Sequence, residues 1–378
     1  MNPIDARFQE GLVLHRQGNL AAAQLAYQEV LRDDPEHAGA LHLLGVVHLA
    51  RGDLAKALDF IERALERCST KAVYWNNYGA VLRGLKRWDD ALRAFQKAVD
   101  LQPQYADAWS NLGLVHLEQG RLDEAERALR FARSIQPRHP DALRHLVRLH
   151  RDRGDLEEAI RLCHDVVAVA PAAIESRLLL GELFAQSRRL DEAAAAYREA
   201  LAAEPESAEA HVGLGIALAD LEEIESARRE FATAAFLRAD RPIWRLRELS
   251  LCPVVFESRE QLDQYRADLE HRLDEALADP PQLDWREALR DGAAPSFNLS
   301  HHGVCNRQIK EKFARLFAGS FPKERPKPGG SDRIRVGFLV TAGHEGGFWR
   351  GFGGRGFERS LPRPSLAGCS WRPSNSAN

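Results

Sequence analysis

Three asparagines and three arginines have the types and spacing to bind another molecule. Asparagine is a poor helix former, because its side chain competes for backbone hydrogen bonds. Inside helical segments it is therefore disfavoured in an exposed structural role, and binding of a polypeptide backbone is the other role open to it. Arginines spaced i, i+4, i+7 lie on one helix face, as a solvated stripe or as a contact surface for a partner. The candidate peptide-binding residues are Asn76, Asn77, Asn111, Arg144, Arg148 and Arg151.

One histidine lies in a glycine-rich turn that follows a short apolar segment. His344 lies in the glycine-rich segment Thr341–Gly347, directly after Ile334–Val340. The latter segment is short and largely apolar, which is typical of the first buried strand of a parallel α/β domain. Three other histidines occupy equivalent positions of a 34-residue period, too far apart to ligate one zinc ion. We therefore predict core positions for His48, His116 and His150, and neither a metal nor a cofactor.

The elements that position these residues come from the 34-residue period itself. An alanine recurs at this spacing seven times without insertion or deletion, and a glycine recurs six times, failing only at Val147. Apolar positions within each unit follow helical spacing, and a small residue where two helices cross lets their axes approach. The period predicts seven helix–turn–helix units over residues 4–241. The alanines are Ala23, Ala57, Ala91, Ala125, Ala159, Ala193 and Ala227, and the glycines are Gly11, Gly45, Gly79, Gly113, Gly181 and Gly215.

The segment Ala108–Gly113, followed by Ala125 and Pro137, resembles the tetratricopeptide repeat (TPR) family almost position by position. The resemblance implies an all-α, right-handed superhelix whose groove is lined by the first helix of each unit. If Trp109 and Leu112 pack inward, the opposite face of their helix lines the groove. On that opposite face we expect Asp107, Ser110, Asn111, Leu114 and Leu117.

The period ends at residue 241. Residues 242–322 are predicted to be a helical cap and junction, in which Ser258–Gln261 is a capping box that starts one helix. A second helix is expected over residues 306–317, with Ile309 and Phe313 facing inward. The remaining segments are a linker at 323–332, the strand and glycine-rich loop at 333–354, and a disordered tail at 355–378.

Three segments beyond the repeats carry a second resemblance. Cys252–Ser258, Pro295–Leu299 and Arg333–Phe338 are similar to bacterial O-linked N-acetylglucosamine (O-GlcNAc) transferases of the SPINDLY-like family. The resemblance implies a GT-B glycosyltransferase of two Rossmann domains, a UDP-GlcNAc donor and an active-site position for His344. Only 48 residues follow Gly330, whereas one βαβ unit alone takes about 30 or more. We therefore expect a truncated α/β stub, with a tail that looks like out-of-frame translation.

Composition argues against several classes of protein. The 52 Lys and Arg against 55 Asp and Glu give a net charge of −3, which does not favour a nucleic-acid partner. The N-terminus lacks a signal-peptide pattern, and no apolar run approaches the roughly 20 residues of a membrane span. Five dispersed cysteines favour reduced thiols, so we expect a cytoplasmic protein without membrane contact.

These observations predict a protein-interaction module that binds a partner or substrate polypeptide in the groove. Two alternatives stay open. One is a protein O-GlcNAc transferase subunit, incomplete in this chain, that pairs with a separately encoded catalytic half. The other is a passive scaffold for complex assembly, without a defined peptide groove.

The truncation argument makes a negative prediction about catalysis. This chain alone should neither bind nor transfer a nucleotide sugar, because nothing holds the donor within the roughly 2.6–3.2 Å that acid–base work at His344 requires. A calorimetric titration of the chain with UDP-GlcNAc tests whether it binds the nucleotide sugar. Saturable binding that disappears in His344→Ala would instead restore the enzyme interpretation.

Overall fold

A computed structural model of the chain describes residues 2–280 and 306–316. Every regular element in these ranges is an α-helix, and the fourteen helices predicted from the period are confirmed. They are α1 Pro3–Arg16, α2 Leu20–Asp33, α3 Ala38–Ala50, α4 Leu54–Arg67, α5 Ala72–Gly84, α6 Trp88–Leu101, α7 Ala106–Glu118, α8 Leu122–Ile135, α9 Pro140–Arg153, α10 Leu156–Val169, α11 Ile174–Gln186, α12 Leu190–Ala203, α13 Ala208–Asp220 and α14 Ile224–Leu237.

Each repeat consists of an odd-numbered helix A and the even-numbered helix B that follows it. The two helices of a repeat pack extensively on each other, and all seven periodic alanines are fully buried. The turn between the helices always contains one residue with positive φ. Glycine, which adopts this conformation without strain, fills the position in four repeats, and Lys86, Arg188 and Glu222 fill it in the others.

The periodic glycine of helix A lies against a large side chain of helix B. A Cβ added at Gly113 would lie 2.6 Å from Leu129 Cγ, and one added at Gly79 would lie 2.7 Å from Phe95 Cε1. A Cβ atom does not approach a nonbonded carbon atom this closely in proteins, so Gly113 and Gly79 are both needed for the close approach of the helices. In the fifth repeat, where Val147 replaces the glycine, the equivalent residue of helix B is Cys163, and both are fully buried. The smaller helix-B residue offsets the larger helix-A residue.

The chain divides into two compact units after Pro205, one repeat before the boundary predicted at residue 241. The reason is that the seventh repeat shares a hydrophobic core with the helices that follow it. These helices are α15 Ile243–Ser250, α16 Arg259–Ala278 and α17 Arg307–Leu316. The shared core contains Ala208, Ala234, Ile243, Trp244, Leu246, Leu249, Leu269, Leu273, Ala276, Ile309, Phe313 and Leu316.

One of the two bonds of the predicted capping box is present at the start of α16, and the return bond goes to the residue before the N-cap Ser258. Ser258 Oγ accepts from the backbone N–H of Gln261, and Gln261 Oε1 accepts from the N–H of Glu257. The linker at 323–332, the strand and loop at 333–354, the tail at 355–378 and Phe317 lie outside the described residues. Within residues 2–280 and 306–316, none of the helices has the length and apolar character needed to cross a membrane.

The fifth repeat suggests a double-mutant test of the helix crossing. Gly113→Val overpacks the fourth repeat and should cost about 1–3 kcal/mol of unfolding free energy. Leu129→Cys alone leaves a cavity and should cost about 2 kcal/mol or more. The double variant reproduces the Val147–Cys163 combination, so its cost should fall below the sum by about 0.5–3 kcal/mol. Urea denaturation measures all three, and strictly additive costs would show that these two residues do not meet.

Candidate functional site

A row of hydrogen-bonded polar side chains runs across the A helices of the second, third and fourth repeats. Asn111 Nδ2 on α7 donates to Asn76 Oδ1 on α5 at 2.9 Å. Asn76 Nδ2 donates to Asn77 Oδ1 at 3.4 Å, and Asn77 Nδ2 lies 2.9 Å from His42 Nε2 on α3. These four residues, which we call the amide row, are adjacent because A helices of successive repeats lie side by side.

One of the predicted peptide-binding residues is buried inside the amide row. Asn76 is only 6% exposed, and its side chain already bonds to both of its neighbours in the row. Little of its side chain is open to a ligand, and its two bonds support the row from inside. Asn77 and Asn111 are half-buried, and each has one N–H of its amide outside the row. They are the members that a ligand can reach.

His42 is the member of the amide row that the sequence analysis missed. Its ring stacks on Tyr74, with 4.1 Å between ring centroids. Burial, helped by the positive charge of Lys71 and by His15, lowers the pKa of His42 to about 4. The imidazole is therefore neutral near pH 7. The available signal was its spacing, since His42 precedes Asn76 by one 34-residue period.

The reachable face is narrower than predicted. Ser110, Leu114 and Leu117 were expected to line the groove, but all three are buried, Ser110 to 1% exposure. The prediction assumed that only the Trp109 and Leu112 face of α7 packs against other helices. In the structure α5 and α9 pack against α7 as well, so they cover the flanks of its predicted groove face. Asp107 is exposed as predicted, and its carboxylate lies 2.8 Å from Nε2 of the buried His139.

The arginine stripe lies on α9, the A helix next to α7. Arg144 pairs with Asp141, and Arg148 Nε lies 3.6 Å from Asp152. Arg151 lies 3.9 Å from Asp152 and 4.0 Å from Glu182. Exposed pairs with this geometry are worth at most about 1 kcal/mol. A ligand carboxylate can therefore replace these acids at little cost.

A further charged pair and a second neutral histidine lie among these residues. Arg83 on α5 and Glu118 on α7 are 3.2 Å apart, while Arg83 Nε and Glu118 Oε2 are buried without a hydrogen bond. The pKa of His145, between Arg144 and Arg148 on α9, falls to about 4. Burial is the main cause, the surrounding arginines add to it, and Asp141 opposes it.

His344 lies outside the described residues. His48 and His150 are buried as predicted, and His116 is half-buried. Within residues 2–280 and 306–316, no group of three or more His, Cys, Asp or Glu side chains is arranged to hold a metal ion. The site that the structure brings together is thus built from amides, imidazoles and paired arginines on neighbouring A helices.

Paired helices in a 34-residue period, with A helices presenting polar side chains, define a helical-repeat protein. The family model "Cilia and flagella-associated protein 70 C-terminal domain" matches residues 4–213, and the model "Tetratricopeptide repeat" matches residues 184–249. The first match covers more than half of the chain. The chain therefore belongs to this family of tetratricopeptide-repeat proteins.

One solved structure, PilW, agrees with this fold, and two others are similar to this chain. PilW, described as a widely conserved type IV pilus biogenesis factor, is 23% identical with a TM-score of 0.52, covering 56% of this chain and 97% of PilW. Pseudomonas aeruginosa PilF is 25% identical with a TM-score of 0.48, and the match covers 55% of this chain and 94% of PilF. A tetratricopeptide repeat protein from Parabacteroides merdae is 17% identical with a TM-score of 0.49, over 64% and 96% of the two chains.

Comparison with curated protein sequences gave no match. The resemblance to O-GlcNAc transferases finds no support in the family models or in these solved structures. Of the segments that carry it, only Cys252–Ser258 lies within the described residues.

The different burial of the asparagines predicts different effects on stability. Asn76→Ala removes the acceptor of Asn111 Nδ2 and the donor to Asn77 Oδ1, and should cost about 1–3 kcal/mol of unfolding free energy. Asn111→Ala should cost less, because water can replace its half-exposed amide. Urea denaturation of both variants measures the difference. If Asn111→Ala lowered the unfolding free energy as much as Asn76→Ala or more, Asn76 would not be the main support of the row.

Proposed function

We propose that the first compact unit binds an extended polypeptide segment of a partner protein, with Asn77 and Asn111 holding the backbone of that segment. The predicted right-handed superhelix would supply the groove in which the segment lies. The protein is then an interaction module and not a catalyst.

The observation that carries this proposal is the partial use of the two reachable amides. Asn77 and Asn111 are positioned by the row, yet each keeps donor or acceptor capacity outside it. An extended polypeptide offers N–H and C=O groups that pair with such amides whatever its side chains are. Neutral amides held in place by neighbours lose little conformational freedom on binding, which favours affinity.

The arginines of α9 supply the sequence preference in this proposal. Arg144, Arg148 and Arg151 lie on α9, which packs against α7, the helix that carries Asn111. Their ion pairs with acidic side chains are weak. We therefore propose that the bound segment carries acidic side chains on the side that faces α9. The two alternatives that the sequence left open differ from this proposal. A passive scaffold would not use these residues, and two of the three segments that carry the glycosyltransferase interpretation lie outside the described ranges.

The experiment is a selection of short linear peptides on the full chain, followed by fluorescence anisotropy of the selected peptides. In Asn77→Ala/Asn111→Ala the Kd should rise about tenfold, because two neutral hydrogen bonds of about 0.5–1.5 kcal/mol each are lost. Methylation of the peptide backbone nitrogens should weaken binding in the same way. Arg144→Ala/Arg148→Ala should weaken acidic peptides and leave neutral ones unchanged.

A matched control uses arginines on the opposite side of the repeats. Arg93, Arg127 and Arg161 occupy one repeat position on the B helices and are well exposed. Replacing all three by alanine removes more charge than the α9 variant and should leave peptide affinity unchanged. If this control weakens binding as much as the A-helix variants, or if no selected peptide responds to either, the passive-scaffold alternative is favoured.

A further inference from the structure

We propose that His42 is a positioning residue that sets the direction of hydrogen bonding along the amide row, and thereby decides which atom of Asn111 faces a bound polypeptide. The last step rests on the proposed function, whereas the direction itself is a property of the free protein. His42 does not need to touch the ligand, because it acts through Asn77 and Asn76.

The direction follows from the chemistry of the amide group. An asparagine Nδ2 only donates and its Oδ1 only accepts. Asn111 Nδ2 donates to Asn76, and Asn76 Nδ2 donates to Asn77 Oδ1, so Asn77 must present Nδ2 to His42. His42 Nε2 is therefore the acceptor at the end of the row. It carries no proton, and the single ring proton lies on Nδ1.

The surroundings of His42 keep it in a form that can accept. The ring is buried and stacked on Tyr74, and the Lys71 ammonium lies 5.3 Å from the centre of the Tyr74 ring. A second positive charge here would be poorly solvated and repelled by Lys71. A neutral imidazole is thus favoured, and the bond from Asn77 at 2.9 Å selects the tautomer with Nε2 free.

Reversing the direction of hydrogen bonding would require every asparagine in the amide row to turn its side-chain amide. If His42 Nε2 carried the proton, Asn77 would have to turn Oδ1 towards it and Nδ2 towards Asn76. Asn76 would then turn in the same way, and Asn111 would have to present Oδ1 to the row. The tautomer of one histidine in the second repeat is therefore coupled to the amide orientation of Asn111 in the fourth.

The orientation of Asn111 decides what the site accepts. In the observed direction Asn111 uses one N–H within the row, and its Oδ1 makes no hydrogen bond among the described residues. The free acceptor fits the N–H of a polypeptide backbone. In the reversed direction both N–H groups of Asn111 would point away from the row, and the site would select a carbonyl at that place instead.

The first test is nitrogen NMR of the full chain labelled with 15N-histidine and 15N-asparagine. At neutral pH the His42 Nε2 resonance should be that of an unprotonated acceptor and Nδ1 that of a protonated nitrogen. A scalar coupling across the hydrogen bond should connect His42 Nε2 to Asn77 Nδ2. Protonated Nε2, or rapid exchange between tautomers, would overturn the proposal without any variant being made.

The second test asks whether the effect reaches Asn111. His42→Phe keeps an aromatic ring over Tyr74 and removes the acceptor, so the side-chain amide signals of Asn76 and Asn111 should shift or broaden. His48→Phe is the matched control, because His48 lies on the same helix, stacks on Phe60 and is not in the row. Amide signals that respond equally to both variants, in proteins whose backbone spectra show them folded, would contradict the coupling.

Binding separates this proposal from the one on which it rests. His42→Phe should raise the Kd of a selected peptide about fivefold, equivalent to one weakened hydrogen bond. His42→Gln, whose Oε1 can accept from Asn77, should recover the affinity. If no peptide binds the unaltered protein, the proposed function fails while the NMR result stands. If peptides bind but His42→Phe has no effect, His42 does not direct the row.

Discussion

The structure depends on one contact, repeated along the chain, between the glycine of helix A and the large side chain it faces on helix B. With no Cβ at Gly113, Leu129 reaches the backbone of α7, and the periodic alanine on helix B completes the crossing. The contact sets the distance between the two helices of a repeat. Because every repeat has the same dimensions, residues one period apart come to lie beside one another. That is why Asn111 and Asn77, 34 residues apart, belong to one hydrogen-bonded row.

A buried amide row has a cost that its geometry has to offset. Each unpaired amide inside the protein would cost about 1–3 kcal/mol, so the row is stable only when all members share one direction. This requirement makes the row more than a set of separate asparagines. It fixes the positions of Asn77 and Asn111, the two residues proposed to bind a ligand, and it links them to His42, whose buried ring stacks on Tyr74.

Most of the repeat architecture could be predicted from the sequence, because glycine and alanine at a fixed period report backbone geometry directly. The site could be predicted only in part. Reading α7 as an isolated helix placed Ser110 and Leu114 in the groove, whereas neighbouring A helices cover both. Asn76, predicted as a peptide contact, is likewise buried. His42 was missed because it is a different residue type from Asn76, which occupies the same position in the next repeat. Both side chains can nevertheless take part in one hydrogen-bonded row. The seventh repeat belongs to a core shared with α15, α16 and α17, and the period carries no information about that core.

The central claim is that the A helices of the first compact unit hold a polypeptide by its backbone. A crystal structure of the full chain with a selected peptide tests this most directly. The account predicts an extended peptide whose backbone N–H lies within hydrogen-bond distance of Asn111 Oδ1, and whose backbone also contacts the amide of Asn77, with Asn76 still buried beneath them. A peptide bound on the B helices, or one held only through its side chains, would contradict the account.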